Sequence, residues 1–139
     1  MDGFTRPADE GAGGERIGGH LLPAQSETLA LLARQLHEFR RRRSSYIPAD
    51  LLGEPGWDLL LDLYASEYEG RLISVTSGSI ASGAPTTTGL RWIRALETGG
   101  LIRRQPSRDD RRRYDLVMTH AGRKAVEGAL KTLCVLVAV

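Results

Sequence analysis

The chain has a single cysteine, Cys134, among its 139 residues. One thiol excludes an intrachain disulfide and any zinc site built on cysteines. It sits in the run "LCVLVAV" and reads as a small buried hydrophobe. That run is far shorter than the roughly 20 apolar residues a membrane span needs. No apolar stretch of signal-peptide type stands near the start, so a cytoplasmic, reduced protein is the expectation. Histidine is scarce as well: His20, His37 and His120 show no ligand spacing, so no metal is expected. No glycine-rich phosphate loop opens a helix after a strand. Asp9, Asp50, Glu54, Asp58, Asp62, Glu67 and Glu69 are scattered as solvated helix faces would place them. Nothing assembles a nucleophile, a base and an oxyanion site. An enzyme is therefore not expected, and neither is a cofactor.

Net charge is almost absent too, at +2, so the whole-molecule balance says little about partners. Its distribution says more. From Arg91 to Arg113 there are eight arginines against Glu97, Asp109 and Asp110. A patch of that kind creates the local field to which a nucleic acid responds. A second cluster, Arg40 to Arg43, reads as a solvated helix end that complements the helix dipole.

Residues 1–22 are glycine-rich with almost no large apolar side chains, and are expected to form a flexible arm. The remainder, 23–139, reads as one α+β, mostly helical domain. In the first helix Leu29, Leu32, Leu36 and Phe39 recur at helical spacing, with Ser26 or a neighbour as cap. A brief helical turn is expected near 48–52. A second helix runs from Pro55 to Glu69 with Trp57, Leu60, Leu61, Tyr64 and Ala65 inward, and Gly70 ends it. "RLIS" allows one small strand. Ser74 can cap a short helix to Ser82 with Ile80 and Ala81 inward. Gly83 turns the chain into a further helix, 84–98, with Pro85 in its first turn and Gly99-Gly100 as its stop. "LIRRQ" and "RYDLVM" read as strands closed by a charged turn. The last helix would bury Ala125, Val126, Ala129, Leu130, Leu133 and Val137.

The order α-α-β-α-α-β-β-α contains a helix-turn-helix followed by a basic hairpin, which is a winged helix. On helix 84–98, Trp92, Ile93 and Leu96 are placed in the core, with Gly89 and Pro85 on the same side. Thr87, Thr88, Arg91, Arg94 and Ala95 then point away, with Thr86 at the edge. Hydroxyls, methyls and a guanidinium suit a major-groove floor, where arginine can bond guanine O6 and N7 together. The hairpin, 103–114, carries Arg104, Arg108, Arg111, Arg112 and Arg113, suited to backbone phosphates or a narrow minor groove. An aspartate of the tip is expected to pair with a nearby arginine and fix the turn.

Over residues 55–125 the sequence resembles the MarR family of transcriptional regulators. The family pattern L-E-x-x-G-L-[IV]-x-R, followed by D-x-R and L-T-x-x-G, is met at Leu96-Glu97, Gly100-Leu101-Ile102, Arg104, Asp110, Arg112, Thr119 and Gly122. The resemblance implies a double-stranded-DNA-binding transcriptional regulator with its binding core at 55–118. Asp110 would then orient the wing, and Arg112 would approach or support the DNA. It also implies a homodimer built on the terminal helices, 23–45 and 119–139, and a small-molecule effector of unknown identity. Three features depart from the pattern. Gly89 replaces a larger apolar residue, Met118 replaces leucine before Thr119, and the terminal helices are short.

The apolar ending "LKTLCVLVAV" independently favours a dimer, since a monomer would leave part of it in water. Twofold packing there would set two recognition helices against half-sites about one DNA turn apart. The alternative is a winged helix that binds protein instead of DNA, because fold alone does not settle function. A protein-binding wing would not need such a density of arginine.

Overall fold

A computed structural model describes residues 16–17, 20–48 and 51–138. Most of the segment expected as a flexible arm lies outside the described residues. Within it, β1 (Arg16–Ile17) and β2 (His20–Leu21) pair antiparallel. Helix α1 spans Pro23–Arg42, α2 Pro55–Glu69, α3 Val75–Ala81, α4 Thr86–Thr98 and α5 His120–Val137. Strand β3 (Ile73–Ser74) joins β4 (Ile102–Pro106) and β5 (Tyr114–Met118) in an antiparallel sheet ordered β3-β5-β4. The register pairs Ile102 with Met118 and Ile73 with Leu116. The winged-helix order expected from the sequence is therefore the observed one.

Helix α2 forms the centre of the domain. Every residue from Leu59 to Ser66 is buried, because α1 covers one side of the helix while α3, α4, β5 and α5 cover the rest. The core joins Leu59, Leu61 and Leu63 to Ile93 of α4, Ile102 and Leu116 of the sheet, and Val126 and Leu130 of α5. Pro55 starts α2, where its missing N–H costs nothing, and Gly70 ends it at φ 78°. The cap residue of helix α1 is Leu22 rather than Ser26 or a neighbour: Gln25 reaches back to accept from the Leu22 N–H at 2.9 Å. A 3-10 turn at Arg43–Ser45 prolongs α1. Of the turn expected near 48–52, residues 49–50 lie outside the described residues. Among the described residues no helix is long and apolar enough to cross a membrane.

Several inward assignments are corrected by the packing. On α1 the buried face is Leu29, Ala30, Ala33 and His37, with Leu32 and Leu36 at its border. The two alanines form the close contact, so the buried face is rotated from the expected stripe, and Phe39 lies 61% exposed. His37 is buried with Nε2 3.0 Å from the Ala81 carbonyl oxygen, which satisfies a polar ring in the core. Ile80 is exposed, whereas Gly78, Ser79 and Ala81 are buried, because glycine and serine allow α3 to press onto α4 and the sheet. On α5, Ala125 and Ala129 are not among the buried residues and Val137 lies beyond the core, while Val126, Glu127 and Leu130 are buried. Glu127 is satisfied by the Tyr64 hydroxyl, which donates to it at 3.1 Å.

The arginine run 40–43 is only partly a solvated helix end. Arg40 donates from Nε to Asp58 on α2, and both side chains are about nine-tenths buried. Arg41 donates to the Ile80 carbonyl at 3.4 Å and Arg42 to Glu38 at 3.1 Å.

Candidate nucleic-acid interface

The Ser74 hydroxyl accepts the Ser77 N–H at 3.1 Å and caps α3, as the sequence leads one to expect. Gly83, at φ 76°, turns the chain towards α4. Pro85 is the cap residue of α4 rather than part of its first turn. The two helices meet where Ser79 lies beneath Gly89. A β-carbon at Gly89 would stand 2.9 Å from the Ser79 carbonyl oxygen and 3.1 Å from its Cα. The larger residue that the MarR pattern carries at this position would therefore collide with backbone. Ser79 also donates to the Thr86 carbonyl at 3.2 Å, which fixes the first turn of α4.

That packing decides which side of α4 faces water. Gly89, Ile93 and Leu96 are buried, while Thr86, Thr87, Arg91, Arg94 and Ala95 are exposed. Thr88, expected to point away, is half-buried. Trp92 is not a core residue. It lies 39% exposed at the rim, its ring over Gly56 of α2, because its position falls to one side of the Gly89–Ile93–Leu96 stripe.

The wing leaves α4 through Gly100 at φ 78°. Arg104 on β4 donates to Glu97 of α4 at 2.9 Å, so this guanidinium ties the wing to the helix and is half-buried. At the tip, Asp110 Oδ1 accepts the Arg112 N–H at 2.9 Å and the Arg112 Nε–H at 3.4 Å. The Arg113 N–H closes the turn onto the Asp110 carbonyl at 3.0 Å, and the Ser107 N–H bonds the Arg113 carbonyl at 3.0 Å. The expected pairing of a tip aspartate with an arginine is present in this geometry. Thr119 caps α5 by accepting the Gly122 N–H at 2.9 Å, and it donates to the Gly100 carbonyl at 2.6 Å. The two glycines of the motif thus meet the base of the wing at one point.

Their partners separate the arginines into three groups. Arg34, Arg40, Arg42, Arg71, Arg104, Arg112 and Arg123 each pair with a carboxylate. Arg41, Arg43 and Arg103 donate to a carbonyl or an amide oxygen. Over residues 22–48 and 51–138, whose side chains are described, the arginines without any partner are Arg91, Arg94, Arg108, Arg111 and Arg113. All of them lie on α4 or the wing tip, where the sequence leads one to expect DNA-facing arginines.

No family model matches the chain, and no curated protein matches it. Solved structures do. MepR of S. aureus in its DNA-binding conformation is 22% identical, with a TM-score of 0.50, over 78% of this chain and 82% of that one. A mutant of MepR from a multidrug-resistant S. aureus clinical isolate is 21% identical, with a TM-score of 0.50, over 80% of this chain and 76% of that one. A second S. aureus MepR mutant is 20% identical, with a TM-score of 0.50, over 74% of this chain and 73% of that one.

The chain has the MarR-type winged-helix fold.

In that fold α3 and α4 are the helix-turn-helix and β4–β5 the wing. The MarR-like positions read from the sequence hold the wing in place: Glu97 binds Arg104, Asp110 binds Arg112 and Thr119 caps α5.

Proposed function

We propose that the protein is a MarR-like transcriptional regulator that binds double-stranded DNA in a sequence-dependent way. One observation carries this reading: the guanidiniums left without a partner gather on the exposed side of α4 and at the tip of the wing. An unpaired arginine in water gains nothing for the fold, whereas it is ready for a phosphate or a guanine edge. Arg91 and Arg94, with Thr86, Thr87 and the half-buried Thr88, would face the major groove. Arg108, Arg111 and Arg112 would meet the backbone or minor groove, with Asp110 orienting the tip and Arg104 securing its base. The conformation named for MepR is consistent with such use of the fold.

The exposed end of α5 supports a homodimer. Val135 and Leu136 are 74% and 76% exposed in the single chain, next to Val137. A second copy would remove these side chains from water and set two α4 helices on a twofold axis. Selection of duplexes from a random pool by the purified protein tests the reading. A palindromic site with half-sites about one DNA turn apart is the expected result; enrichment of no duplex would refute it.

A further inference from the structure

A cleft of about 260 Å³ opens between the start of α3 and the wing. Ser74, Val75 and Thr76 form one wall, and Arg104, Arg112, Arg113 and Tyr114 the other. The α3 wall and Tyr114 have no part in the recognition surface described above. Sites for drug-sized ligands are roughly 300–1,000 Å³ and mostly apolar. This cleft is smaller, and Val75 is its one aliphatic side chain. Its walls offer guanidiniums and hydroxyls, which suits a small oxyanion.

The partners within the cleft sharpen that chemistry. Arg104 is oriented by Glu97 at 2.9 Å and Arg112 by Asp110 at 3.4 Å. The Ser74 hydroxyl is engaged with Ser77, accepting its N–H at 3.1 Å and donating to its Oγ at 3.2 Å. The Arg113 guanidinium and the Thr76 hydroxyl have no side-chain partner among the described residues. Two carboxylates offset two of the three lining arginines, and one positive charge is left over. One phosphate diester carries the matching charge.

We propose that this cleft is a phosphate-binding site in which Arg113, Arg112 and Thr76 donate to the non-bridging oxygens of one phosphate group. The group is either a backbone phosphodiester of a bound duplex or the phosphate of a free phosphorylated small molecule. Only the first source rests on the DNA-binding reading. A phosphate held there would bridge α3 and the wing, fixing the helix-turn-helix and the hairpin relative to each other.

The test uses the full chain as wild type and as Thr76→Val, Arg113→Gln and Arg113→Lys, each checked for an unchanged thermal midpoint. In one arm, inorganic phosphate and pyrophosphate are titrated while the backbone amide signals of residues 74–76 and 112–114 are followed by NMR. In the other, duplex affinity is measured against salt. If the phosphate comes from a duplex, Arg113→Gln lowers the salt exponent by about 0.9 per chain for all sequences alike. Thr76→Val then weakens duplex binding about tenfold, and Arg113→Lys restores the exponent. If it comes from a small molecule, the titration shifts those amides in the wild type, Arg113→Gln abolishes the shifts, and the salt exponent is unmoved. A wild type that binds no duplex ends the DNA reading, while the titration still decides the cleft. Identical salt exponents in wild type and Arg113→Gln, together with no response to either anion, overturn the proposal.

Discussion

Replacing Gly89 with alanine sets two effects of opposite sign against each other. Helix propensity alone favours alanine by about 0.8–1.0 kcal/mol in a helix interior. Against it stands the contact with Ser79, whose carbonyl oxygen and Cα would lie 2.9 and 3.1 Å from the new β-carbon. Those atoms are backbone and cannot rotate away, so α3 and α4 must separate by roughly half an ångström to reach ordinary contact. Overpacking of this kind costs about 1–3 kcal/mol, and the Ser79–Thr86 hydrogen bond is at the same spot. The contact wins, and a net loss of up to about 2 kcal/mol is expected. Gly128 supplies the control: it is helical, with no atom within 4 Å of a built β-carbon, so Gly128→Ala should stabilise by up to about 1 kcal/mol. Urea unfolding at one fixed protein concentration reads both, and thermal midpoints should move by about 2–8 °C per kcal/mol. If Gly89→Ala raised stability as Gly128→Ala does, the close approach of the two helices would be refuted.

Arg91→Ala should relax preference at one base pair by about 1–3 kcal/mol, whereas Arg111→Ala should weaken all sequences similarly; binding titrations on matched and mismatched duplexes separate the two. Asp58→Ala leaves Arg40 buried without its carboxylate, a loss of about 3–5 kcal/mol in a urea titration. Burial, and then the Glu127 carboxylate, raise the Tyr64 pKa in the folded state above its ordinary value of 10.0. The stability tied to its protonated form is therefore present below about pH 10 and is lost as pH rises beyond it. Wild type should lose more stability than Tyr64→Phe between pH 8 and pH 11, and equal losses would count against the buried pair. Glu69 moves the other way: the Arg34 hydrogen bond is the main cause of a pKa below 4.5. Its contribution is present above that value and lost as pH falls through the lowered one, so Glu69→Gln should flatten the acid limb of the stability curve.

Element order was legible because its signals are local. Pro55 and Gly70 bracket α2, Ser74 caps α3, Gly99-Gly100 stops α4, and apolar residues flank a charged turn in the hairpin. The exposed side of α4 was also legible, since Gly89, Ile93 and Leu96 define a stripe that leaves Arg91 and Arg94 outside. Phe39, Ile80 and Trp92 were misplaced for one shared reason. Hydrophobicity ranks a residue for burial, yet in each case small neighbours set the contact: Ala30 and Ala33 on α1, Gly78 and Ser79 on α3, Gly56 beneath the indole. Spacing alone does not show that a helix is held by its smallest residues. Nor does it show which arginines are already engaged. Arg40 and Arg104 look like their neighbours in sequence, and only the fold brings Asp58 and Glu97 to them.

The salt dependence of duplex affinity tests the central claim most directly. The unpartnered arginines of α4 and the wing are Arg91, Arg94, Arg108, Arg111 and Arg113. With Arg108, Arg111 and Arg113 on phosphates and Arg91 and Arg94 in the major groove, log affinity should fall against log salt with a slope of about −2.7 per chain, roughly 40-fold weaker at 200 mM than at 50 mM. An affinity that stays flat across that range, or no affinity for duplex at low salt, would contradict DNA binding by this surface.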